Sequence, residues 1–257
     1  MEFRNVRILI FDIDGVLVYV GDSYRKAIIK TVDWYFSEGI GIGFRKNMVR
    51  EEDIQAFKLA GNFNDDWELT YGIILCFLTK LISELRKKSM KLEFNLREIA
   101  EEIKDRGSGL RGVEKTLGER FKNELKIAKE FCFYNVIKEV FQEFYLGRKL
   151  FKKKYKKDVR FVNSEGFIYD EKSLISRETL ERIARNHYMG IATGRERFEV
   201  EFMLKYHNFA KFFDNELIVT REDSKRRKPD PYPLLECKER ICKRYNLDKE
   251  TPTAYIW

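Results

Sequence analysis

The stretch Arg7-Ile8-Leu9-Ile10-Phe11-Asp12-Ile13-Asp14-Gly15-Val16-Leu17 decides how the rest of the chain is read. Ile8 to Phe11 form an uninterrupted apolar run, the pattern of a short strand buried on both faces in the middle of a parallel sheet. The run ends in two carboxylates two residues apart, followed by glycine. Open α/β sheets hold their ligands in the crevice beyond the carboxyl ends of their strands, which is where these acids would stand. Two acids this close repel one another unless a cation lies between them or one keeps its proton. A hard, oxygen-seeking ion such as Mg²⁺ is the natural partner. The plainer reading is a strand end followed by an Asp-Gly turn.

Composition narrows the field. A chain of 257 residues with 44% hydrophobic and 36% charged residues is neither disordered nor membrane-like, and it can form one large core or two domains. No run approaches the roughly 20 apolar residues of a spanning helix. The N-terminus enters the first strand without a leader-like segment, so a cytoplasmic protein without a membrane partner is expected. Cys76, Cys132, Cys237 and Cys242 lack metal-ligand spacing and read as reduced thiols. The net charge of +8 suits anionic partners. The basic run Lys152-Lys-Lys-Tyr-Lys-Lys157 reads as a solvated helix face and not as a nucleic-acid site, because no nucleic-acid motif accompanies it.

Beyond Leu17 the pattern turns helical. Asp22 and Ser23 are candidate N-caps. Helices follow around Ile28 to Phe36, Arg50 to Leu59, Ile73 to Leu85, Asn95 to Lys104, and then through Phe121 to Ala128 and Val136 to Phe144. Gly39-Ile-Gly41-Ile-Gly43 breaks the first of these and lacks the spacing of a nucleotide loop. Gly61-Asn-Phe-Asn64-Asp-Asp-Trp67 reads as a polar loop rich enough in amides and carboxylates to touch a substrate. Arg106-Gly-Ser-Gly-Leu-Arg111-Gly112 reads as a mobile glycine-rich hinge or flap, and Val159 to Tyr169 as a short extended or hairpin-like return. Strand and helix then alternate. Ser176 caps a helix, Met189–Ala192 is a strand ending in Thr193-Gly194-Arg195, and a helix runs through Phe198 to Tyr206. Glu216–Thr220 is a strand, Lys228-Pro-Asp-Pro231 opens a helix, and Thr253–Trp257 is a last strand. Such alternation implies a parallel sheet with right-handed crossovers.

Three strand ends therefore bring polar groups to one rim: Asp12 and Asp14, then Thr193-Gly194-Arg195, then Lys228-Pro-Asp-Pro. In this order the motifs DxDGVL, TGR and KPDP resemble those of the haloacid dehalogenase superfamily, whose members are mostly Mg²⁺-dependent phosphatases. The resemblance covers residues 1–20 and about 170–257. The long insert after the first acid pair resembles the α-helical cap of the phosphoglycolate-phosphatase-like branch, and its Gly61–Trp67 segment is similar to an uncharacterised group within that branch. The resemblance implies an α/β fold, a Rossmann-like parallel sheet core of residues 1–20 and 171–257, with a large, mostly α-helical cap, residues 21–170, inserted after the first strand. It implies a phosphomonoester hydrolase acting on a small phosphorylated metabolite. Asp12 would be the nucleophile and Asp14 the general acid and base. Asp12 and Asp14 would hold Mg²⁺. Thr193 and the Gly194 amide would bind the transferring phosphoryl group, and Lys228 would supply fixed positive charge. Arg195, Asn64, Trp67 and Arg111 are candidate substrate contacts. Arg195 reads equally well as a surface salt bridge, and Asp230 as turn chemistry.

One departure is visible. The family places a further acidic motif just beyond the strand at Thr253–Trp257, and the chain stops there, either as a fragment or as a naturally shortened protein. Asp223, in the loop before Lys228, is the carboxylate that could substitute. The alternative reading is a catalytically impaired protein of the same fold that binds a phosphorylated ligand or a protein partner.

Overall fold

A computed structural model describes residues 5–43, 48–61, 63, 65–88, 95–226 and 228–257. The chain divides into two compact units, Met1–Val20 with Glu171–Trp257, and Gly21–Asp170. The first is an α/β core. Its strands are β1 (Ile8–Phe11), β2 (Val18–Tyr19), β3 (Lys172–Ser173), β4 (Tyr188–Ala192), β5 (Ile218–Val219) and β6 (Thr253–Ile256). The main sheet has the order β5-β4-β1-β6 and every pairing in it is parallel. Three helices, α8 (Arg177–Ala184), α9 (Arg197–Tyr206) and α10 (Tyr232–Tyr245), are the crossovers of the expected parallel sheet. Ile8 faces Tyr188 on one side and Thr253 on the other, and Phe11 faces Ile191 and Ile256. The apolar run thus lies in the interior of the sheet, and alternate residues feed opposite layers. Phe11 joins Met189, Ile191 and Ile218 under α9, while Ile8 and Ile10 join Ala192 and Val219 under α10. Ser176 caps α8, its Oγ accepting the Thr179 amide at 3.1 Å. A separate antiparallel pair, β2 with β3, ties the start of the chain to the segment after the insert.

The strand expected over Glu216–Thr220 is shorter than its sequence suggests. Asp214 takes the amides of Glu216 and Leu217, through its side chain and its main-chain carbonyl, at 3.0 and 2.9 Å. Those amides close a 3₁₀ turn over Asn215–Leu217, so only Ile218 and Val219 are left for the sheet.

The second unit is helical: α1 (Lys26–Trp34), α2 (Glu51–Ala60), α3 (Asp66–Arg86), α4 (Leu96–Asp105), α5 (Gly109–Arg120), α6 (Lys122–Glu130) and α7 (Tyr134–Tyr155). Asp22 and Ser23 lie inside a π-helical turn, Gly21–Arg25, that leads directly into α1, so they do not act as caps. Helix α3 is buried along most of its length, from Trp67 to Leu81, and forms the spine of this unit. Tyr35 fastens the turn between α6 and α7, donating to the Phe131 carbonyl at 2.6 Å and accepting from the Phe133 amide at 3.0 Å. Burial pushes its pKa up to about 12, so it stays a neutral donor. Lys152 to Lys154 of the basic run lie in the last turn of α7, where cations suit the helix dipole, and Lys157, just beyond the helix, pairs with Glu139 at 2.8 Å.

Two further expectations for this unit are corrected. Gly107 to Gly112 is not a flap. Gly107 (φ +118°) and Gly109 (φ +56°) make the turn, and α5 begins at Gly109. Gly112 then lies so close to α4 that a Cβ would stand 2.8 Å from the Ile103 carbonyl oxygen, and glycine there serves helix contact. Nor is Val159–Tyr169 a hairpin among the described residues. Glu143, wholly buried in α7, accepts the amides of Arg160, Phe161 and Val162 at 2.7, 2.9 and 2.7 Å. A side chain takes the place of a partner strand. Phe167–Asp170 is a 3₁₀ turn, and Glu165 makes a single bridge to Gly147, where α7 kinks.

No helix among the described residues is long and apolar enough to cross a membrane. The four cysteines are buried free thiols, and burial pushes those of Cys76, Cys132 and Cys237 well above the usual range.

Candidate active site

The site is assembled in the core unit from residues at the carboxyl ends of its strands and in the loops beyond them. Asp12 leaves β1 with its amide still donating to the Ile256 carbonyl at 2.8 Å, so the sheet itself fixes its backbone. The chain then folds back on the buried Ile13, whose carbonyl accepts the amides of Val16, Leu17 and Val18 at 3.2, 2.9 and 3.1 Å. Gly15 makes this possible with φ +77°, a left-handed geometry that a side chain disfavours. The turn raises Asp14 to the surface, its side chain 38% exposed.

Among the described residues, the Asp12 carboxylate meets an amide and an ammonium. Oδ1 accepts the Ile13 amide at 2.8 Å, and Oδ2 stands 2.8 Å from Lys228 Nζ. Both side chains are about three-quarters buried, so the attraction acts where water screens it poorly. Thr193 comes directly after β4. Its amide donates to Val219 at 3.0 Å, and its hydroxyl accepts the Arg195 amide at 3.3 Å. Since Phe11 pairs with Ile191 in the register, Asp12 and Thr193 emerge on the same rim of adjacent strands. Gly194 beside them is exposed, with open space where a Cβ would point. Asp230 makes turn chemistry, accepting the Tyr232 amide at 2.9 Å.

Arg195 lies neither on the surface nor in the open. Its side chain is 1% exposed; Nε donates to Asp14 Oδ1 at 2.7 Å and Nη1 to Glu171 Oε2 at 2.9 Å. Glu171 is also buried, so the guanidinium links an inner carboxylate to an outer one. Burial, and then the charge of Arg195, lower the pKa of the nearby His207 below its ordinary value and keep it neutral. Glu171 is the site residue that sequence reasoning missed. It is the second of two adjacent acids in Tyr169-Asp170-Glu171-Lys172, with no pattern to set it apart from its neighbour.

Asn64 falls outside the described residues. Trp67 is buried in α3 of the helical unit, its Nε1 donating to Tyr134 Oη at 3.1 Å, with Lys138 Nζ 4.6 Å from the ring centroid. Arg111 is exposed on α5 of the same unit. Asp223 is committed to its own loop. Its Oδ2 accepts the Thr220 amide and hydroxyl at 2.8 and 2.7 Å and pairs with Arg197. Burial acts to raise its pKa, but those hydrogen bonds and the Arg197 charge outweigh it and hold the carboxyl below the usual range.

The profile of the haloacid dehalogenase-like hydrolases matches residues 137–253. A Northeast Structural Genomics Consortium target superposes with a TM-score of 0.67 at 18% identity, over 97% of this chain and 84% of that one. The chain has the haloacid dehalogenase-like hydrolase fold, with an α-helical cap. Another structure with this fold, phosphatase Tt82 from Thermococcus thioreducens, gives a TM-score of 0.62 at 25% identity, over 97% of this chain and 91% of that one. A 70-residue segment is 41% identical to an imidazoleglycerol-phosphate dehydratase of Phytophthora nicotianae; it makes up 27% of this chain and 13% of that protein. In the haloacid dehalogenase-like fold of this chain, the Asp12–Lys228 pair stands at the carboxyl end of β1, a strand with a neighbour on each side.

Proposed function

We propose that the chain is a phosphomonoester hydrolase that works through an aspartyl-phosphate on a small phosphorylated metabolite. The observation that carries this reading is the Asp12–Lys228 contact of 2.8 Å, with Asp14 two residues further on. A carboxylate held beside a fixed ammonium is a nucleophile whose target can be an anion, since the lysine offsets the charge that would repel it. Similarity to a protein named as a phosphatase points the same way. In the first step an Asp12 oxygen bonds to phosphorus as the bond to the leaving alkoxide breaks, and Asp14 gives that alkoxide its proton. In the second, Asp14 takes a proton from the water that attacks phosphorus, and Asp12 is freed. The Thr193 hydroxyl and the Gly194 amide hydrogen-bond the transferring oxygens.

A magnesium ion fits the donors in part. The Asp12 carboxylate and the Asp14 main-chain carbonyl would hold it, both hard oxygens. No cluster of three or more His, Cys, Asp or Glu suited to a metal occurs among the described residues. Waters and the substrate phosphate would complete the shell, a pattern usual for this ion. When bound, the ion would neutralise charge on the phosphoryl oxygens. The test is turnover of a panel of phosphate esters with and without Mg²⁺, together with a search for a hydroxylamine-labile phosphoryl group on Asp12. Mg²⁺-dependent turnover with that adduct is expected. Binding of phosphate analogues with no turnover of any ester would overturn the reading in favour of a binding protein.

A further inference from the structure

We propose that Arg195 and Glu171 are positioning residues. Glu171 anchors the Arg195 guanidinium, and Arg195 holds the Asp14 carboxyl in the orientation needed to protonate the leaving group. The inference rests on the phosphatase reading above and adds to it a role for two residues that do not touch substrate.

The geometry carries it. Asp14 sits on a surface turn just before a glycine with positive φ, where a short side chain has free choice of rotamer. Arg195 removes that choice through the 2.7 Å bond from Nε to Oδ1. A guanidinium can do this only if it is itself held, and the 2.9 Å bond from Nη1 to Glu171 holds it from the other side. Both Arg195 and Glu171 side chains are 1% exposed. A buried ion pair is seldom kept for stability, because desolvation cancels much of its attraction. Here one end of the pair reaches an acid that remains 38% exposed and open to a ligand. The fork of arginine is suited to binding two carboxylates in fixed directions, which a lysine ammonium cannot reproduce. The backbone adds a second constraint, since the Arg195 amide is bonded to Thr193 Oγ1 at 3.3 Å. A contact made for substrate would leave the guanidinium accessible, and this one is enclosed.

The test exploits leaving-group chemistry. An alkyl phosphate needs a proton on its departing oxygen, whereas 4-nitrophenolate leaves without one. The ratio of kcat/KM for the two therefore reports the acid in the first chemical step. Glu171→Ala is expected to lower kcat/KM on an alkyl phosphate about 10²-fold, the usual scale of general acid catalysis, and to lower the alkyl-to-nitrophenyl ratio at least about tenfold. If the lone buried guanidinium prevents folding, the double variant Glu171→Gln with Arg195→Gln carries the test. It removes both charges, keeps hydrogen-bonding side chains, and is expected to show the same lowered ratio. An equal loss on both esters in a folded variant would mean a merely structural role and overturn the proposal, as would an unchanged ratio. A wild-type chain that hydrolyses neither ester would overturn the phosphatase reading, and the positioning role with it.

Discussion

Glu143 in the helical cap and Glu171 in the core are both buried acids, but they are satisfied in different ways. Glu143 accepts three successive main-chain amides, Arg160 to Val162. Glu171 is met by a guanidinium that passes on to a second acid at the surface. The first arrangement is closed and fixes the backbone. The second is open at one end and fixes a side chain at the surface. A buried carboxylate is thus informative through what its partner does next. Dipoles of the main chain point to architecture, and a shared cation points to a site.

The largest effect expected is on the open arrangement. Asp12→Asn keeps size and shape but removes the charge of the proposed nucleophile beside Lys228. Activity on any phosphate ester is expected to fall at least about 10⁴-fold, the scale on which losing a covalent nucleophile acts. The circular dichroism spectrum should not change. Residual turnover above about a hundredth of wild type, on a Mg²⁺-dependent reaction, would show that Asp12 is not the nucleophile.

The closed arrangement should fail in the opposite way. Glu143→Gln leaves one acceptor oxygen and turns an NH₂ group toward the amides of Arg160 to Val162. A hydrogen bond to a charged acceptor contributes about 1.5–3 kcal/mol, so a loss of about 3 kcal/mol is expected when one or two of the three are broken. Trp34 packs edge-on against Phe161 at 5.2 Å between ring centroids, so its fluorescence reports the release of this segment. A lower urea midpoint with unchanged slope is the expected result. A shift worth less than about 1 kcal/mol would mean that main-chain dipoles are not what secures the segment.

Much of the fold was legible because its signals are local. The apolar run of β1, the helical spacing of α3 and the order of polar strand ends each occupy a few consecutive residues. Asp12, Thr193 and Lys228 could be named because each comes after a strand. Arg195 was visible for the same reason, but its partner was not. Glu171 is 24 residues away in sequence, and no local pattern states that a charge is buried. Glu143 did carry a faint signal, an acid amid the apolar Val140, Phe141 and Phe144. Gly107 to Gly112 misled because glycine permits both flexibility and close contact, and only the approach of Ile103 to Gly112 distinguishes them. The Glu216–Thr220 strand was over-read for a related reason, since β-branched residues give no warning that Asp214 takes the preceding amides.

The smallest effect expected sharpens the comparison within the core itself. Asp223 belongs to the same unit as Asp12, yet its Oδ2 is enclosed by Thr220 and Arg197, with Arg240 3.9 Å from Oδ1. Its arrangement is closed, so Asp223→Asn should cost stability and leave the metal dependence of turnover alone. Its carboxyl pKa is depressed in the folded chain, although burial acts against this, because the Thr220 bonds and Arg197 favour the charged form. A depressed folded value means that the stabilisation is present above the unfolded pKa near about 4 and is lost as pH falls through the folded value. The wild type should therefore exceed the variant by about 1 kcal/mol near neutrality, with the gap closing in acid. Thermal melts of both proteins across the acid range measure this directly. A gap that widens in acid would reverse the sign and refute the ion-pair account. A variant that keeps its stability but needs far more Mg²⁺ would make Asp223 a metal ligand, and the division between closed and open carboxylates would fail within one unit.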